Sequence, residues 1–149
     1  MSTARDYNVF ISHAWEESED YRRIVRMLNQ ARLFSWVNQS VTRKGYTQSN
    51  SPGEIIDMLM KQIEPAEIVV VVSDIYWEHS KDIQQQINLA QQLEKPIIGI
   101  KSLGKEGVPP ILHYSAAEVV DWAPMDIVSA IRNNSLMPQK KKGSRSFTA

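Results

Sequence analysis

Cysteine is absent from the 149-residue sequence, which removes disulfides and thiol chemistry and permits a reducing compartment. Histidine is sparse. His13, His79 and His113 are the only three, and without thiolates or an HExxH spacing no metal site is expected. No glycine-rich turn follows the first apolar run, which excludes both the dinucleotide fingerprint and the P-loop. Long apolar stretches are missing too. The longest, Ile68–Val72, is far too short to cross a bilayer, and the opening MSTARDYNVF lacks the apolar core of a signal peptide. A soluble, cytoplasmic protein without membrane association is the expectation. Nor is there a basic body. Formal charge is zero overall, but Lys140, Lys141, Lys142 and Arg145 sit in the last ten residues, leaving 13 basic against 17 acidic residues over 1–139. That acidic balance argues against a nucleic-acid partner.

What is present is an alternation of apolar runs and amphipathic segments, within a composition (42% hydrophobic, 8% aromatic) suited to a globular chain. Tyr7–Ser12 reads as a buried strand. Ser18 is a helix N-cap with Glu19 and Asp20 in the first turn, and Tyr21, Ile24, Val25, Leu28 and Ala31 follow at helical spacing. Leu33–Val37 is a second strand. Residues 38–50 form a polar loop whose length suggests function. Ser51-Pro52-Gly53-Glu54 combines an N-cap, a first-turn proline and a capping-box glutamate, ahead of an inward face of Ile55, Ile56, Leu59 and Ile63. Ile68–Ser73 is a third, central strand. After a turn, a helix runs from Ser80 to about Leu93 with Ile83, Ile87 and Ala90 inward. Ile97–Ile100 and Glu118–Trp122 are further strands, and Lys101–Pro110 between them, rich in glycine and proline, reads as loop. Met125–Arg132 is a last helix, with Ile127, Val128 and Ile131 inward. Beyond it no apolar periodicity remains, so 1–133 reads as one domain and 134–149 as a disordered basic tail.

Strands alternating with helices imply parallel pairing through right-handed crossovers. The expected fold is therefore a three-layer α/β, flavodoxin-like one, with a five-stranded parallel sheet of order 2-1-3-4-5 and helices on both faces. Strands 1 and 3 then flank the switch point at which such sheets bind ligands. Its crevice is walled by Ser12–Trp15, the 38–50 loop, Ser73–Tyr76 and the start of the Ser80 helix. Gln86, three residues after Ile83, falls at the edge of that helix's buried face and points toward the crevice. By residue type alone it is a boundary glutamine covering the core. A phosphoacceptor receiver would need an acidic pair just after strand 1, where Ser12 and His13 stand. A triad of Ser73, His13 and Asp74 can be drawn, as it can in most chains of this length.

YNVFISHAW (Tyr7–Trp15) resembles the first strand of a TIR or TIR-like domain. VVVVSDIYWEHSKDIQQQINLA is similar to that family's third strand and catalytic helix, and KPIIGI to the strand after it. The likeness spans residues 6–133 and is nearest to the bacterial stand-alone TIR-like proteins of Thoeris-type anti-phage defence. It implies an enzyme that takes NAD+ as substrate, needs no cofactor, and cleaves the nicotinamide glycosidic bond. The product, ADP-ribose or a cyclised or conjugated derivative, would signal to a downstream effector. A homo-oligomer is compatible with it. The family's essential group is a helix glutamate that holds the ribose and stabilises an oxocarbenium-like transition state, an effect of roughly several kcal/mol.

At that place the sequence departs from the family. Counting from Ser80, Asp82 fills the tryptophan slot and Gln86 the glutamate slot. Glutamine keeps the shape and one acceptor oxygen but not the charge, so the expectation is a chain that binds NAD+ and hardly turns it over. Either the family's glutamate has been replaced here, or this is a natural non-catalytic member. Ser12, His13, Tyr46, Asp74, Tyr76 and Asp82 are the other candidate substrate-binding residues. The alternatives are a non-catalytic TIR interaction and assembly module, or a nucleoside-processing transferase of similar fold, for which no carboxylate can be placed.

Overall fold

Asp6–Ile11 (β1), Ser35–Asn38 (β2), Ile68–Val72 (β3), Ile97–Ile100 (β4) and Glu118–Val120 (β5) pair into one parallel sheet in the order β2-β1-β3-β4-β5. The structure, a computed structural model, describes residues 5–40, 42 and 51–137. Val9 stands opposite Ile68, and Val72 opposite Ile100. All five residues of β3 are fully buried, as a continuously apolar strand covered on both faces must be. The helices are Glu19–Gln30 (α1), Pro52–Ile63 (α2), Ser73–Glu78 (α3), Ser80–Gln92 (α4), Pro110–Ser115 (α5) and Pro124–Asn134 (α6). The crossover through α1 runs opposite in direction to those through α2 and α4. Right-handedness therefore puts α1 on one face and the other two on the opposite face, and α1 packs with α6 while α2 packs with α4. The expected order, parallel sense and layering are all present.

The local signals that held are the chemical ones. Ser18 Oγ caps α1 by accepting from the Tyr21 N–H at 3.2 Å. Ser51 and Glu54 close their capping box over α2, with bonds of 3.2 and 2.8 Å. Other expectations need correcting. The third strand stops at Val72, and Ser73–Glu78 is a helix instead of a turn. No side chain caps it. Tertiary bonds hold it instead: Ser73 Oγ donates to the Ile100 carbonyl at 2.6 Å, and Trp77 Nε1 to the Gly107 carbonyl at 2.7 Å. The second strand begins two residues late, because Leu33 adopts a left-handed φ of 57° and its carbonyl accepts from Arg132. Ile56 is 37% exposed rather than inward. The inner stripe of α2 follows Ile55, Leu59, Gln62 and Ile63, and Ile56 lies a residue off it. Helix α5 had no periodic signal, being only six residues long. It lays Leu112 on Gly99 so closely that a Cβ there would sit 3.1 Å from Leu112 Cδ1.

The two ends of the described chain meet at the amino ends of the strands. Arg5 pairs with Glu67 at 3.0 Å, Glu67 accepts the Asn8 N–H at 3.2 Å, and the Leu136 N–H donates to the Glu67 carbonyl at 3.0 Å. Asn134 closes α6. The rest of the expected tail, 138–149, and most of the 38–50 loop lie outside the described residues.

Candidate functional site

Strand β1 stays paired one residue beyond its own end, since the Ser12 N–H donates to the Val70 carbonyl at 2.9 Å. The chain leaves the sheet at His13, beside β3, where the strand order reverses. From the other side, Gln86 projects off α4 along the stripe of Ile83, Ile87 and Ala90 and is fully buried. Its side-chain amide clasps the His13 backbone. Oε1 accepts the His13 N–H at 3.0 Å, and Nε2 donates to the His13 carbonyl at 2.6 Å. A backbone N–H can only donate and a carbonyl only accept, so the amide has one possible orientation.

The His13 ring is equally constrained. Its Nδ1 accepts the Trp15 N–H at 3.1 Å, so the proton resides on Nε2, which lies 3.2 Å from Gln62 Oε1. Gln62 comes from α2 and is itself buried. Burial holds the imidazole down at about 4 from its ordinary 6.5, against the Gln62 hydrogen bond, which acts to raise it. His13 is therefore neutral near pH 7, in one tautomer. The bond to Nδ1 also secures Trp15, a buried residue with φ of 64°. That conformation costs a non-glycine residue on the order of 1 kcal/mol. Against the ring lie Trp15, Phe10 and Tyr21, with centroids at 4.8, 5.6 and 6.4 Å.

Ser12, His13 and Gln86 are thus brought together at the switch point. Ser12 is fully buried, and its Oγ has no hydrogen-bond partner among the described residues. The other candidates are placed elsewhere. The Asp74 carboxylate accepts from Ser102 Oγ and from the Leu103 N–H at 2.9 Å, tying α3 to the loop after β4. Asp74 also lies near Asp20, whose carboxyl is raised by burial and then by Asp74, with Arg23 opposing. Tyr76 donates to Gln84 Oε1 at 3.3 Å and lines an open cleft of about 480 Å³ with Ser80, Lys81, Gln84, Gln85 and Asn88. That cleft is on a different side of α4 from Gln86. Asp82 is exposed in the first turn of α4, where its charge suits the helix dipole. Tyr46 lies outside the described residues. No group of three or more His, Cys, Asp or Glu among the described residues could hold a metal ion, and no described helix is long and apolar enough to cross a membrane.

Gln62 was not anticipated. Its signal was nonetheless in the sequence: a glutamine at the i+7 position of the Ile55–Leu59–Ile63 stripe, where helical spacing calls for an apolar residue. A buried amide there needs a partner, and His13 is that partner.

Similarity to known proteins bears on the family and the fold. A family model described as Thoeris protein ThsB, TIR-like domain, matches residues 10–106, a span that runs from the last two residues of β1 through β4 and so includes α2, β3 and α4. No curated protein matches the chain. Among solved structures, a conserved protein from Enterococcus faecalis V583 superposes with a TM-score of 0.57, covering 87% of this chain and 99% of that one. At 8% identity that likeness speaks to the fold alone.

Proposed function

The chain belongs to the Thoeris ThsB TIR-like family, and from that membership we propose that it acts in anti-phage defence as a TIR domain that takes NAD+ at the β1/β3 switch point. One observation carries the reading: Gln86, in the family's glutamate slot, reaches the carboxyl end of β1 and meets the chain at His13. The orphaned Ser12 hydroxyl next to it supports the same place, since a buried hydroxyl without a partner is one that a ligand or water can satisfy. Cleavage of the nicotinamide bond builds positive charge on the ribose, and a carboxylate beside it lowers that barrier. Gln86 supplies the shape without the charge. The proposed form is accordingly substrate-binding and nearly inactive, and its glutamate counterpart makes an ADP-ribose-type signal for a separate effector.

The test sets the chain beside its Gln86→Glu variant, with NAD+, following nicotinamide and nucleotide masses by chromatography. Release from the glutamate form only, together with NAD+ binding by both, is the expected result. No release from either overturns the catalytic reading.

A second reading has its own observation. Both polar atoms of Gln86 are already satisfied by the His13 backbone, so the residue braces the fold without any substrate. On this reading the chain is a non-catalytic interaction module. Concentration-dependent self-association with no NAD+ binding would favour it.

A further inference from the structure

We propose that Gln62 of α2 is a positioning residue for the crevice: it fixes the His13 tautomer, the tautomer fixes the Trp15 turn, and the turn sets where the His13 backbone meets residue 86. Calling that place a crevice for NAD+ rests on the reading above; the linkage from Gln62 to Gln86 does not.

Four groups on three elements form one buried sequence of contacts. Gln62 Oε1 takes the Nε2 proton of His13 at 3.2 Å, His13 Nδ1 takes the Trp15 N–H at 3.1 Å, and the His13 N–H and carbonyl are held by Gln86 at 3.0 and 2.6 Å. The backbone N–H of Trp15 and the backbone N–H and carbonyl of His13 each permit one direction only. Were the ring to carry its proton on Nδ1, the Trp15 N–H would face another donor and the left-handed turn at Trp15 would lose its restraint. The backbone two residues earlier is the surface against which residue 86 is set. Two polar partners act on the tautomer, the Trp15 N–H at Nδ1 and Gln62 at Nε2, and the ring also packs against the rings of Phe10, Trp15 and Tyr21. Tyr21 is a titratable group facing it, and its hydroxyl is bonded to Ser40 at 2.8 Å and to Asn38 at 3.0 Å. Of the two polar partners, Gln62 is the side chain, and so the one that a substitution can remove.

The experiment compares the protein with Gln62→Leu, which keeps the volume and removes the acceptor, and Gln62→Glu, which keeps the acceptor and adds charge. The readouts are the imidazole nitrogen resonances of His13, the Trp15 amide and the side-chain NH2 of Gln86, all by nitrogen-15 NMR between pH 5 and 8, with NAD+ titrated separately. In the unchanged protein the Nε2–H tautomer and both other signals should be constant across that range. In Gln62→Leu a second tautomer appears and the Trp15 and Gln86 signals move. In Gln62→Glu the carboxylate favours the imidazolium, so the same signals titrate within the range and return to their original positions at its alkaline end. NAD+ affinity should fall about tenfold in Gln62→Leu, the order expected for loss of one buried hydrogen bond. If the Trp15 and Gln86 signals stay in place in both variants, the proposal is overturned. If they move as described while the unchanged protein binds no NAD+, the linkage stands and it is the NAD+ reading that falls.

Discussion

The side chain of Gln86 and the backbone of His13 form a closed pair, in which one amide satisfies one N–H and one carbonyl 73 positions earlier in the chain. It joins α4 to the end of β1 by direct bonds, and it sets what any other residue at position 86 must do.

A glutamate at position 86 could accept the His13 N–H with one oxygen but would set the other against the His13 carbonyl. Protonated, it could donate there as the amide does. Burial and the carbonyl both favour the neutral acid, so the carboxyl of the Gln86→Glu variant should be raised above its usual range. The folded state then holds more protons than the unfolded one, and stability falls as pH rises through that interval. Unfolding free energies from urea denaturation at pH 5 and pH 8 should differ by about 2 kcal/mol or more, the cost of an uncompensated buried group. Equal values would mean that the side chain has left the core. Bound NAD+, whose nicotinium ring is cationic, should narrow the difference by favouring the ionised form.

His13 gives the unchanged protein a pH dependence of its own. With the folded value at about 4 and an ordinary value of 6.5, the unfolded chain takes up the proton first as pH falls. This contribution to stability is complete above about pH 6.5 and is lost as pH falls through about 4. It amounts to roughly 3 kcal/mol. Denaturant midpoints from pH 7 to pH 4, with the His13 ring followed by NMR, check both the size and the window.

Gly99 is required by the approach of Leu112. Gly99→Ala should cost about 1–3 kcal/mol, because the added methyl meets Leu112 Cδ1 at 3.1 Å and Val119 Cγ2 at 3.4 Å. Combined with Leu112→Ala, its cost should be smaller than the two single losses together. Strict additivity in thermal or urea denaturation would show that α5 simply shifts outward.

Ser51→Ala removes the acceptor of the Glu54 N–H and with it half of the capping box. A loss of about 1 kcal/mol is expected, with amide exchange quickening through the first turn of α2. Ser51→Asp, which can also cap, should restore most of it.

Asp74→Ala should release the loop after β4 without disturbing the switch point. The Leu103 amide, now bonded to Asp74 at 2.9 Å, is expected to exchange faster, while NAD+ affinity stays within about twofold, as for a change away from the ligand. A large loss of affinity would return Asp74 to the ligand site.

The topology was legible because it depends on alternation. Five apolar runs separated by helical stripes leave few ways to pair, and handedness removes most of those. The caps were legible for a similar reason: Ser18 and Ser51 act on the chain within three residues of themselves. Short elements held by distant partners were not. Helix α3 depends on Ile100 and Gly107, and α5 on Gly99, none of which announces itself locally. At the site, position 86 could be located through resemblance and spacing, but not its full burial or its bond to a backbone so far away in sequence. Gln62 carried a readable sign in its place on a buried stripe. Reading it required taking a polar residue in an apolar position as half of a pair.

Arg5 and Leu136 lie close enough for the Arg5 guanidinium to reach the Leu136 carbonyl at 3.4 Å, at the amino ends of the strands, opposite the carboxyl ends where His13 meets Gln86. A domain whose described ends adjoin in this way is, in effect, a ring cut at one place, and the cut need not stay there. Joining residues 5 and 136 by a few glycines and reopening the ring at the exposed 103–107 turn should yield a circular permutant with the same sheet order. By the same geometry, residues 5 and 136 leave the domain at the amino ends of its strands, on the side away from the switch point.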